Sequence, residues 1–354
     1  MAPLILALKR EAWVNCIVLA TAQHRQMLDQ VLEVFSIVPD LDLDVMRPNQ
    51  DLTSLTARLL EGLGNALDST KPAAVLAQGD TTTVMAAALA SFYRNIAFGH
   101  VEAGLRTGDL RNPFPEEMNR VIAGRLSRWH FAPTEQSRNN LIAEGFADSE
   151  VHVTGNTVID ALLHVAPTAN EIGVALDPGK RTVLVTAHRR ENFGAPFERV
   201  CTAIRALADR NPDIEVLYPV HPNPNVREVA MRLLGNHPRI QLSAPLDYVP
   251  FVAAMKRAYL ILTDSGGVQE EAPALGKPVL VLREETERPE AIEHGVVRLV
   301  GTDPERILGE AQKLLDDPAA YRLMARGVSP YGDGQAADRI VRILRTSLES
   351  QKPA

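Results

Sequence analysis

The stretch LILTDSGGVQEEAPALGKPVLVL, residues 260–282, decides the fold class of this chain. An apolar run typical of a buried strand leads directly into Ser265-Gly266-Gly267, a helical pattern follows, and PVLVL forms a second apolar run. Glycines at the start of a helix let a ligand approach backbone N–H groups, which favour anions. The stretch therefore predicts strand, helix and strand with a diphosphate seat at the helix start. The alternative is a tight turn capped by Asp264 or Ser265.

The same alternation of apolar runs and helical patterns extends along the chain and is typical of parallel α/β proteins. In the first half it predicts strands at 14–21, 73–78, 96–101, 129–132 and 151–154, with helices such as 26–35 and 82–92 between them. After a region rich in Pro and Gly near 166–181, the runs TVLVT, EVLYPV, RIQLS, LILTD, PVLVL and VRLV predict further strands.

Two successive doubly wound, Rossmann-like units follow from this pattern. We expect the first at residues 1–165 and the second at 166–335, with a closing helix within 336–354 that packs back on the first. Ligands of such sheets bind at the carboxyl ends of the strands. We therefore expect the polar clusters of both units to face one cleft.

Charge and cysteine content exclude several classes of protein. The 354 residues carry a net charge of -7 without long blocks, whereas a nucleic-acid surface would need a basic stripe. No apolar run approaches the roughly 20 residues that a membrane helix needs. Cys16 and Cys201 lie outside any Cys-x-x-Cys pattern. Composition thus predicts a cytoplasmic protein with reduced thiols, no structural zinc and small anionic ligands.

Common cofactor and metal patterns are not met. The glycine turn lacks the Gly-x-x-x-x-Gly-Lys-Ser/Thr pattern of a P-loop. Gly62-Leu63-Gly64 continues to Leu67 within a helical pattern and not to the third glycine of a dinucleotide fingerprint. Asp40, Asp42 and Asp44 alternate with leucines, which favours a solvated extended segment over a metal site.

Three acids in the first half follow strands or open a helix. Asp80 comes after a strand and before a helix, where an N-cap role is the alternative. Glu102 ends the next strand, and Glu116 lies in the first turn of a helix introduced by Pro115. Acids that converge on one sheet edge raise one another's pKa values and become competent acids or bases.

Three polar residues of the second half follow strands or the glycine turn and are candidates for ligand contacts. His188 follows TVLVT beside two arginines, where it can hold a phosphate or a sugar hydroxyl. Glu271 lies one turn after the glycines, where a carboxylate can bind both hydroxyls of a ribose. Arg288 follows another strand within ETERPE; an ion pair with its sequence neighbours is the alternative.

Several motifs together resemble those of the non-hydrolysing UDP-N-acetylglucosamine 2-epimerases. They include QGDTTTVMAAALA, GHVEAGLRTGDLRNPFPEEMNR, TAHRRENFG, LTDSGGVQEEAPALGKPVLVLR and SPYGDGQAADRI, and the match runs from about Ala2 to the C-terminus. The resemblance implies the glycosyltransferase-B fold and a homodimer. It also implies interconversion of UDP-N-acetylglucosamine and UDP-N-acetylmannosamine for surface polysaccharides, with no metal and no other cofactor.

The resemblance also assigns roles, residue by residue. It implies that the catalytic groups are Asp80, Glu102, Glu116 and His188. The implied substrate contacts are Ser265, Gly266 and Gly267 at the phosphates, Glu271 at the ribose, Arg288 as a further contact, and Phe251 near the uracil. Gln23 and Gln26 match positions that contact a second, activating UDP-N-acetylglucosamine. The implied reaction eliminates UDP to give 2-acetamidoglucal and adds it back.

The start of the chain departs from the family pattern. Family members begin with a strand and Gly-Thr-Arg-Pro-Glu-Ala-Ile-Lys, and Met1-Ala2-Pro3-Leu4 matches what comes next. We therefore expect the natural protein to begin upstream. The 354-residue chain should be poorly stable and slow, because loss of a central strand exposes two unpaired ladders. Equal activity and melting temperature with and without the upstream codons would contradict this.

Other functions remain open from sequence alone. A UDP-sugar glycosyltransferase would keep the glycine seat and need a sugar acceptor. A catalytically silent nucleotide-sugar-binding protein would bind UDP without turnover. A hydrolysing epimerase would release UDP and free N-acetylmannosamine.

Overall fold

A computed structural model describes residues 1–21, 25–47, 50–286 and 288–350, of which 25–27 are described by their backbone alone. The chain divides into two compact α/β units. Unit 1 comprises Met1–Ala161 and Tyr331–Ala354, and unit 2 comprises Leu162–Pro330. Parallel strands alternate with helices in each, as the apolar runs predicted.

Unit 1 is built on a parallel sheet with the order β3-β4-β5-β6. The strands of unit 1 are β1 Leu19–Ala20, β2 Leu41–Asp42, β3 Ala74–Gln78, β4 Ala97–Val101, β5 Trp129–Ala132 and β6 Val151–Val153, and β1 pairs with β2 apart from this sheet. Its helices are α1 Ala2–Lys9, α2 Arg25–Val34, α3 Leu52–Thr70, α4 Thr82–Phe92, α5 Glu116–Leu126, α6 Glu135–Ala143 and α7 Thr157–Val165, the last of which continues into unit 2.

The strand predicted at 14–21 is wrong over most of its length. Only Leu19 and Ala20 form a ladder, with Leu41 and Asp42 of β2. The N–H of Val18 is satisfied by the side chain of Asp40, 2.7 Å away, and not by a neighbouring strand. A β-branched run extends only as far as a partner strand lies beside it.

Unit 2 is a doubly wound parallel sheet with the order β12-β11-β10-β7-β8-β9. Its strands are β7 Arg181–Thr186, β8 Ile214–Pro219, β9 Ile240–Ser243, β10 Leu260–Thr263, β11 Val279–Val281 and β12 Val297–Leu299. Its helices are α8 Ala195–Arg210, α9 Pro224–Leu234, α10 Tyr248–Arg257, α11 Gly266–Ala274, α12 Pro289–Glu293, α13 Pro304–Asp316 and α14 Pro318–Met324.

The strand order of unit 2 reverses between β7 and β10. The two strands pair in parallel, and Thr186 lies opposite Thr263 at their carboxyl ends. Ligands of open α/β sheets bind at such a topological switch point. The fold therefore places a candidate site where residues 187–189 and 264–267 leave the sheet.

The closing helix, α15 Ala336–Glu349, belongs to unit 1. The carboxylate of Asp160 accepts hydrogen bonds from the N–H groups of Ala336 and Ala337 at its first turn. Ile340 and Leu344 are buried in one apolar cluster with Leu4. Among the described residues, no helix combines the length and apolarity needed to cross a bilayer.

Candidate active site

A cavity of about 270 Å³ lies in unit 2, where β7 and β10 end. Its lining includes five residues that the sequence singled out, and consists of Thr186, His188, Pro219, His221, Pro245, Leu246, Phe251, Ser265, Gly267, Val268 and Glu271. Apolar walls with a few polar groups are typical of ligand sites.

The glycine turn opens the N-terminus of α11 to this cavity. The helix begins at Gly266, and the N-cap residue Ser265 makes no capping hydrogen bond with its side chain. A Cβ on Gly267 would have no heavy atom within 4 Å, so the backbone there is open. A Cβ on Gly266 would lie 2.9 Å from Cζ of Arg288. The turn thus offers free space beside helix N–H groups, which suits an anion.

Asp264 organises the end of β7 instead of capping α11. The residue is fully buried, and its Oδ2 accepts hydrogen bonds from the N–H groups of His188 and Arg189, each at 2.8 Å. Asn192 Nδ2 donates to the same oxygen at 3.3 Å. Capping by Asp264 was one alternative from the sequence, and the structure gives this carboxylate a different partner.

His188 lies between this carboxylate and the cavity. Its Nδ1 is 3.5 Å from Oδ1 of Asp264, and its ring stacks on His221 with centroids 5.5 Å apart. Burial lowers the pKa of His188, although the charge of Asp264 acts in the opposite direction. The imidazole is therefore neutral near pH 7. Sequence reasoning missed both His221 and the Asp264 contact.

Glu271 is a buried carboxyl group in the wall of the cavity. Burial, with the neighbouring charge of Glu270, raises its pKa to about 8. The group is therefore mainly protonated at neutral pH and can donate a hydrogen bond. Burial also raises the pKa of Tyr248 beside it.

Arg288 lies next to the glycine turn, with its guanidinium against Gly266. Its Nε donates to Oε1 of Glu270 at 2.6 Å. The alternative predicted for Arg288 was an ion pair with its sequence neighbours. Glu270 is on α11, so this bond ties Arg288 to the helix that carries the glycine seat.

In unit 1, Asp80 and Glu102 lie at the carboxyl ends of β3 and β4. Asp80 follows β3, but the N-cap of α4 is Thr81, so Asp80 does not cap that helix. Its Oδ2 accepts a hydrogen bond from Nη2 of Arg120 at 2.6 Å. A charged partner, and not a helix end, holds this carboxylate.

Glu102 follows β4 in a strained conformation. Its φ is 64°. A residue with a Cβ rarely adopts such a positive φ, and the residues that do so cluster at functional sites. Gln78 Nε2 lies 3.2 Å from Oε2, and Asn156 Nδ2 lies 3.4 Å from Oε1. A Cβ on Gly79 would be 3.7 Å from Oε2, so Glu102 approaches the turn that carries Asp80.

Glu116 is the first residue of α5, as predicted, and is partly exposed. The next residue, Glu117, is buried and was not singled out from the sequence. Gln23 lies outside the described residues. Gln26 is within α2, and its side chain is not described. The two predicted allosteric positions therefore stay predictions.

His100 lies on β4, behind the turn at Gly79. Its Nε2 is 2.7 Å from the Gly79 carbonyl oxygen, so this nitrogen carries the proton when the ring is neutral. Burial lowers the pKa of His100 to about 4. In the part of the chain that the structure describes, no group of three or more His, Cys, Asp or Glu side chains could hold a metal ion.

Comparisons with known proteins show the family of the chain. A profile of the family described as UDP-N-acetylglucosamine 2-epimerase matches residues 6–345. The UDP-N-acetylglucosamine 2-epimerase of Escherichia coli (strain K12) is 54% identical over 357 residues, which is 98% of this chain and 95% of that protein.

Two solved structures are also similar. The UDP-GlcNAc 2-epimerase of Neisseria meningitidis, bound to UDP-GlcNAc, is 45% identical with a TM-score of 0.90 over 98% of this chain and 96% of that one. The UDP-GlcNAc 2-epimerase of Methanocaldococcus jannaschii, in complex with UDP-GlcNAc and UDP, is 32% identical with a TM-score of 0.80 over 98% of this chain and 95% of that one. These likenesses confirm the predicted glycosyltransferase-B fold class.

Proposed function

The chain belongs to the UDP-N-acetylglucosamine 2-epimerase family, and on this premise we propose how its residues divide the work of that isomerase. The enzyme acts on UDP-N-acetylglucosamine. We propose that it inverts C2 to give UDP-N-acetylmannosamine by eliminating UDP and adding it back. The observation that carries the proposal is the open glycine turn at the N-terminus of α11.

Unit 2 holds the UDP in this proposal. The diphosphate binds the N–H groups at Ser265, Gly266 and Gly267, where the helix dipole favours negative charge. Phe251 lines the same cavity and is the candidate contact of the uracil. Glu271 contacts the ribose, and its raised pKa keeps a carboxylate charge away from the diphosphate near pH 7.

His188 is positioned to meet the phosphate or a sugar hydroxyl. A neutral ring with Nδ1 beside Asp264 leaves Nε2 for the ligand. Arg288, tied to α11 through Glu270, supplies positive charge next to the seat. UDP released at C1 would thus remain bound until it is added back.

The carboxyl groups of unit 1 transfer the proton. The C2 proton of the sugar is weakly acidic, and it becomes easier to remove as the bond from C1 to the phosphate oxygen breaks. The bonding electrons leave with UDP, a carboxylate takes the C2 proton, and a double bond forms between C1 and C2. In the return step, C2 is protonated on its opposite face and UDP attacks C1. We assign Asp80, Glu102 and Glu116 to these transfers as a group.

Three further features belong to the same proposal. We propose that the protein is a homodimer, which light scattering in solution tests. We propose a cytoplasmic location, where nucleotide sugars are made and where Cys16 and Cys201 stay reduced. Gln23 and Gln26 are candidates for an activating UDP-N-acetylglucosamine site.

Proton NMR of UDP-N-acetylglucosamine with the protein in deuterated buffer tests the function. Deuterium at C2 together with a UDP-N-acetylmannosamine signal is the expected result. UDP with free N-acetylmannosamine would identify a hydrolysing epimerase, and UDP release only with a sugar acceptor would identify a glycosyltransferase. UDP binding without turnover would identify a silent binding protein.

A further inference from the structure

Glu117, next to the proposed catalytic Glu116, is a buried carboxylate with partners on both oxygens. Its side chain is 1% exposed, and its Oε2 lies 3.1 Å from Nη1 of Arg120. Its Oε1 accepts hydrogen bonds from the backbone N–H groups of Thr107 at 3.0 Å and Gly108 at 3.1 Å. Oε1 thus carries two backbone hydrogen bonds, whereas Oε2 is held by the ion pair with Arg120 without a regular hydrogen bond.

Arg120 continues the contact from Glu117 to Asp80. Its side chain is 10% exposed, and its Nη2 donates to Oδ2 of Asp80 at 2.6 Å. Asn119 Nδ2, from the same helix, donates to the backbone carbonyl oxygen of Asp80 at 2.9 Å. Within the described ranges, the hydrogen bonds that Asp80 accepts from α5 involve its backbone oxygen and Oδ2, and neither involves Oδ1. The arrangement fixes one oxygen of Asp80 and leaves the other for proton transfer.

The other end of the network anchors an exposed segment. Residues 107–114 are all exposed, including Leu110 at 54% and Phe114 at 64%. Gly108 has a φ of 81°, a conformation that favours glycine. Such a segment has little apolar burial of its own to stabilise it. Its N–H groups at 107 and 108 are bound to a buried carboxylate, which anchors the start of the segment.

We propose that Glu117 and Arg120 are positioning residues that hold segment 107–114 and the carboxylate of Asp80 in one arrangement. The inference rests on the proposed role of Asp80 in proton transfer. Glu117 then affects the reaction through Arg120 without touching the sugar. A shift of about 1 Å in a catalytic group can cost about 100-fold in rate, so a loosened Arg120 has a measurable effect.

Glu117→Gln separates the two ends of the network. The amide oxygen still accepts from Thr107 and Gly108, whereas its NH₂ group now faces the guanidinium of Arg120. We expect kcat to fall by about tenfold or more, with KM within about threefold and UDP affinity unchanged. A merely structural role would lower the melting temperature and leave the kcat of the folded enzyme unchanged.

Glu144→Gln is the matched control. It breaks another ion pair of unit 1, in which Glu144 lies 2.5 Å from an arginine, Arg106, whose side chain is 9% exposed. Within the described ranges, neither residue makes a hydrogen bond or an ion pair with Asp80. We expect lower stability with a kcat near that of the natural sequence. An equal loss of kcat in this control and in Glu117→Gln would overturn the proposal.

A double-mutant cycle tests whether Glu117 acts through Arg120. In an Arg120→Met background, Glu117→Gln should cause no further loss of kcat, because the connection to Asp80 is already broken. This double variant also removes both charges of the buried pair, which limits the risk of misfolding. Arg120→Lys keeps one charge but cannot bridge two carboxylates, so it should lose kcat similarly. Additive losses in the cycle would overturn the proposal.

Backbone hydrogen exchange tests the anchoring of residues 107–114 by Glu117, whether or not the protein is active as an epimerase. If the natural chain does not epimerise the substrate, the proposed function fails by itself. The anchoring of residues 107–114 is then read from exchange in peptides that cover 105–115. Glu117→Ala should speed that exchange, and Asp68→Asn, which breaks the ion pair with Arg94 elsewhere in unit 1, should leave it unchanged. Equal protection in Glu117→Ala and the natural chain would overturn the anchoring.

Discussion

The carboxyl edges of the two parallel sheets are built from different chemistry. At the edge of unit 1, side-chain charges are paired with one another, as Asp80 with Arg120 and Arg120 with Glu117. At the switch point of unit 2, backbone N–H groups, glycines and the neutral His188 surround a cavity, and the buried Asp264 holds the backbone of residues 188 and 189.

The difference indicates what each edge can do. Carboxylates held by charged partners at a sheet edge are suited to exchange a proton in a fixed geometry. Helix N–H groups are fixed dipoles that carry no titratable proton near pH 7, so they are suited to retain an anion through a reaction. Variants at the two edges should therefore separate catalysis from binding.

The largest effect is expected for Asp80→Asn and Glu102→Gln. Each change removes a proposed proton-transfer group, so kcat should fall by about 10² to 10⁴-fold. UDP affinity should stay within about twofold, because the diphosphate seat belongs to unit 2. Deuterium incorporation at C2 and calorimetric titration with UDP measure the two quantities. A loss of UDP affinity as large as the loss of kcat would remove the distinction between the two edges.

The glycine seat offers a matched pair of variants. A Cβ on Gly267 meets no heavy atom within 4 Å, so Gly267→Ala should fold normally. Its UDP affinity should fall by about tenfold if the diphosphate binds at this turn. Gly266→Ala should lose more, because its Cβ would also displace Arg288, whose Cζ is 2.9 Å away. Calorimetry measures both. Normal UDP affinity in Gly267→Ala would place the anion elsewhere.

The raised pKa of Glu271 predicts that the stability of unit 2 falls as the pH rises, because this carboxyl group of the binding site is buried. Its pKa is raised from 4.5 to about 8, so between these values the unfolded chain loses a proton that the folded chain keeps. Stability therefore falls as pH rises from about 5 to 8. Glu271→Gln should remove this dependence and raise the free energy of unfolding at pH 8 by about 4 kcal/mol.

Urea unfolding without ligand at pH 5 and at pH 8 measures the effect of Glu271→Gln. Glu270→Gln serves as the control, because it removes the charged partner of Arg288 and should destabilise at neutral pH. Parallel stability curves for Glu271→Gln and the natural chain would contradict the raised pKa.

Unit 1 should show the opposite, acid dependence through a buried histidine. His130 is 0% exposed, packs against Phe146 with ring centroids 4.4 Å apart, and has its pKa lowered by burial from 6.5 to about 3. As pH falls below about 6.5, the unfolded chain takes up a proton that the folded chain does not, and stability decreases.

The variant His130→Phe should reduce this acid dependence by about 1 kcal/mol per pH unit. Melting temperatures at pH 7.5 and pH 5 measure it, and the difference between the variant and the natural chain should widen at pH 5. A constant difference would show that His130 does not set the acid limit of unit 1.

Local sequence predicted most elements of both edges. The strand 129–132 and the helix 82–92 have the predicted bounds, because apolar period and turn residues act within a few positions. The strand 14–21 was wrong beyond Leu19 and Ala20, because a strand also needs a neighbour. Glu117 and Asp264 were missed as organising groups, although each is an acid beside a predicted site residue.

The sequence by itself determined the α/β alternation, the glycine turn and the acids that follow the strands, since these depend on neighbouring residues. Only the tertiary structure decided that β7 lies beside β10, and that Asp80 is paired with an arginine 40 positions away. Burial and pairing of charges depend on which distant elements pack together. For that reason Glu116 and Glu117, adjacent and chemically identical in sequence, differ in exposure and are assigned different roles.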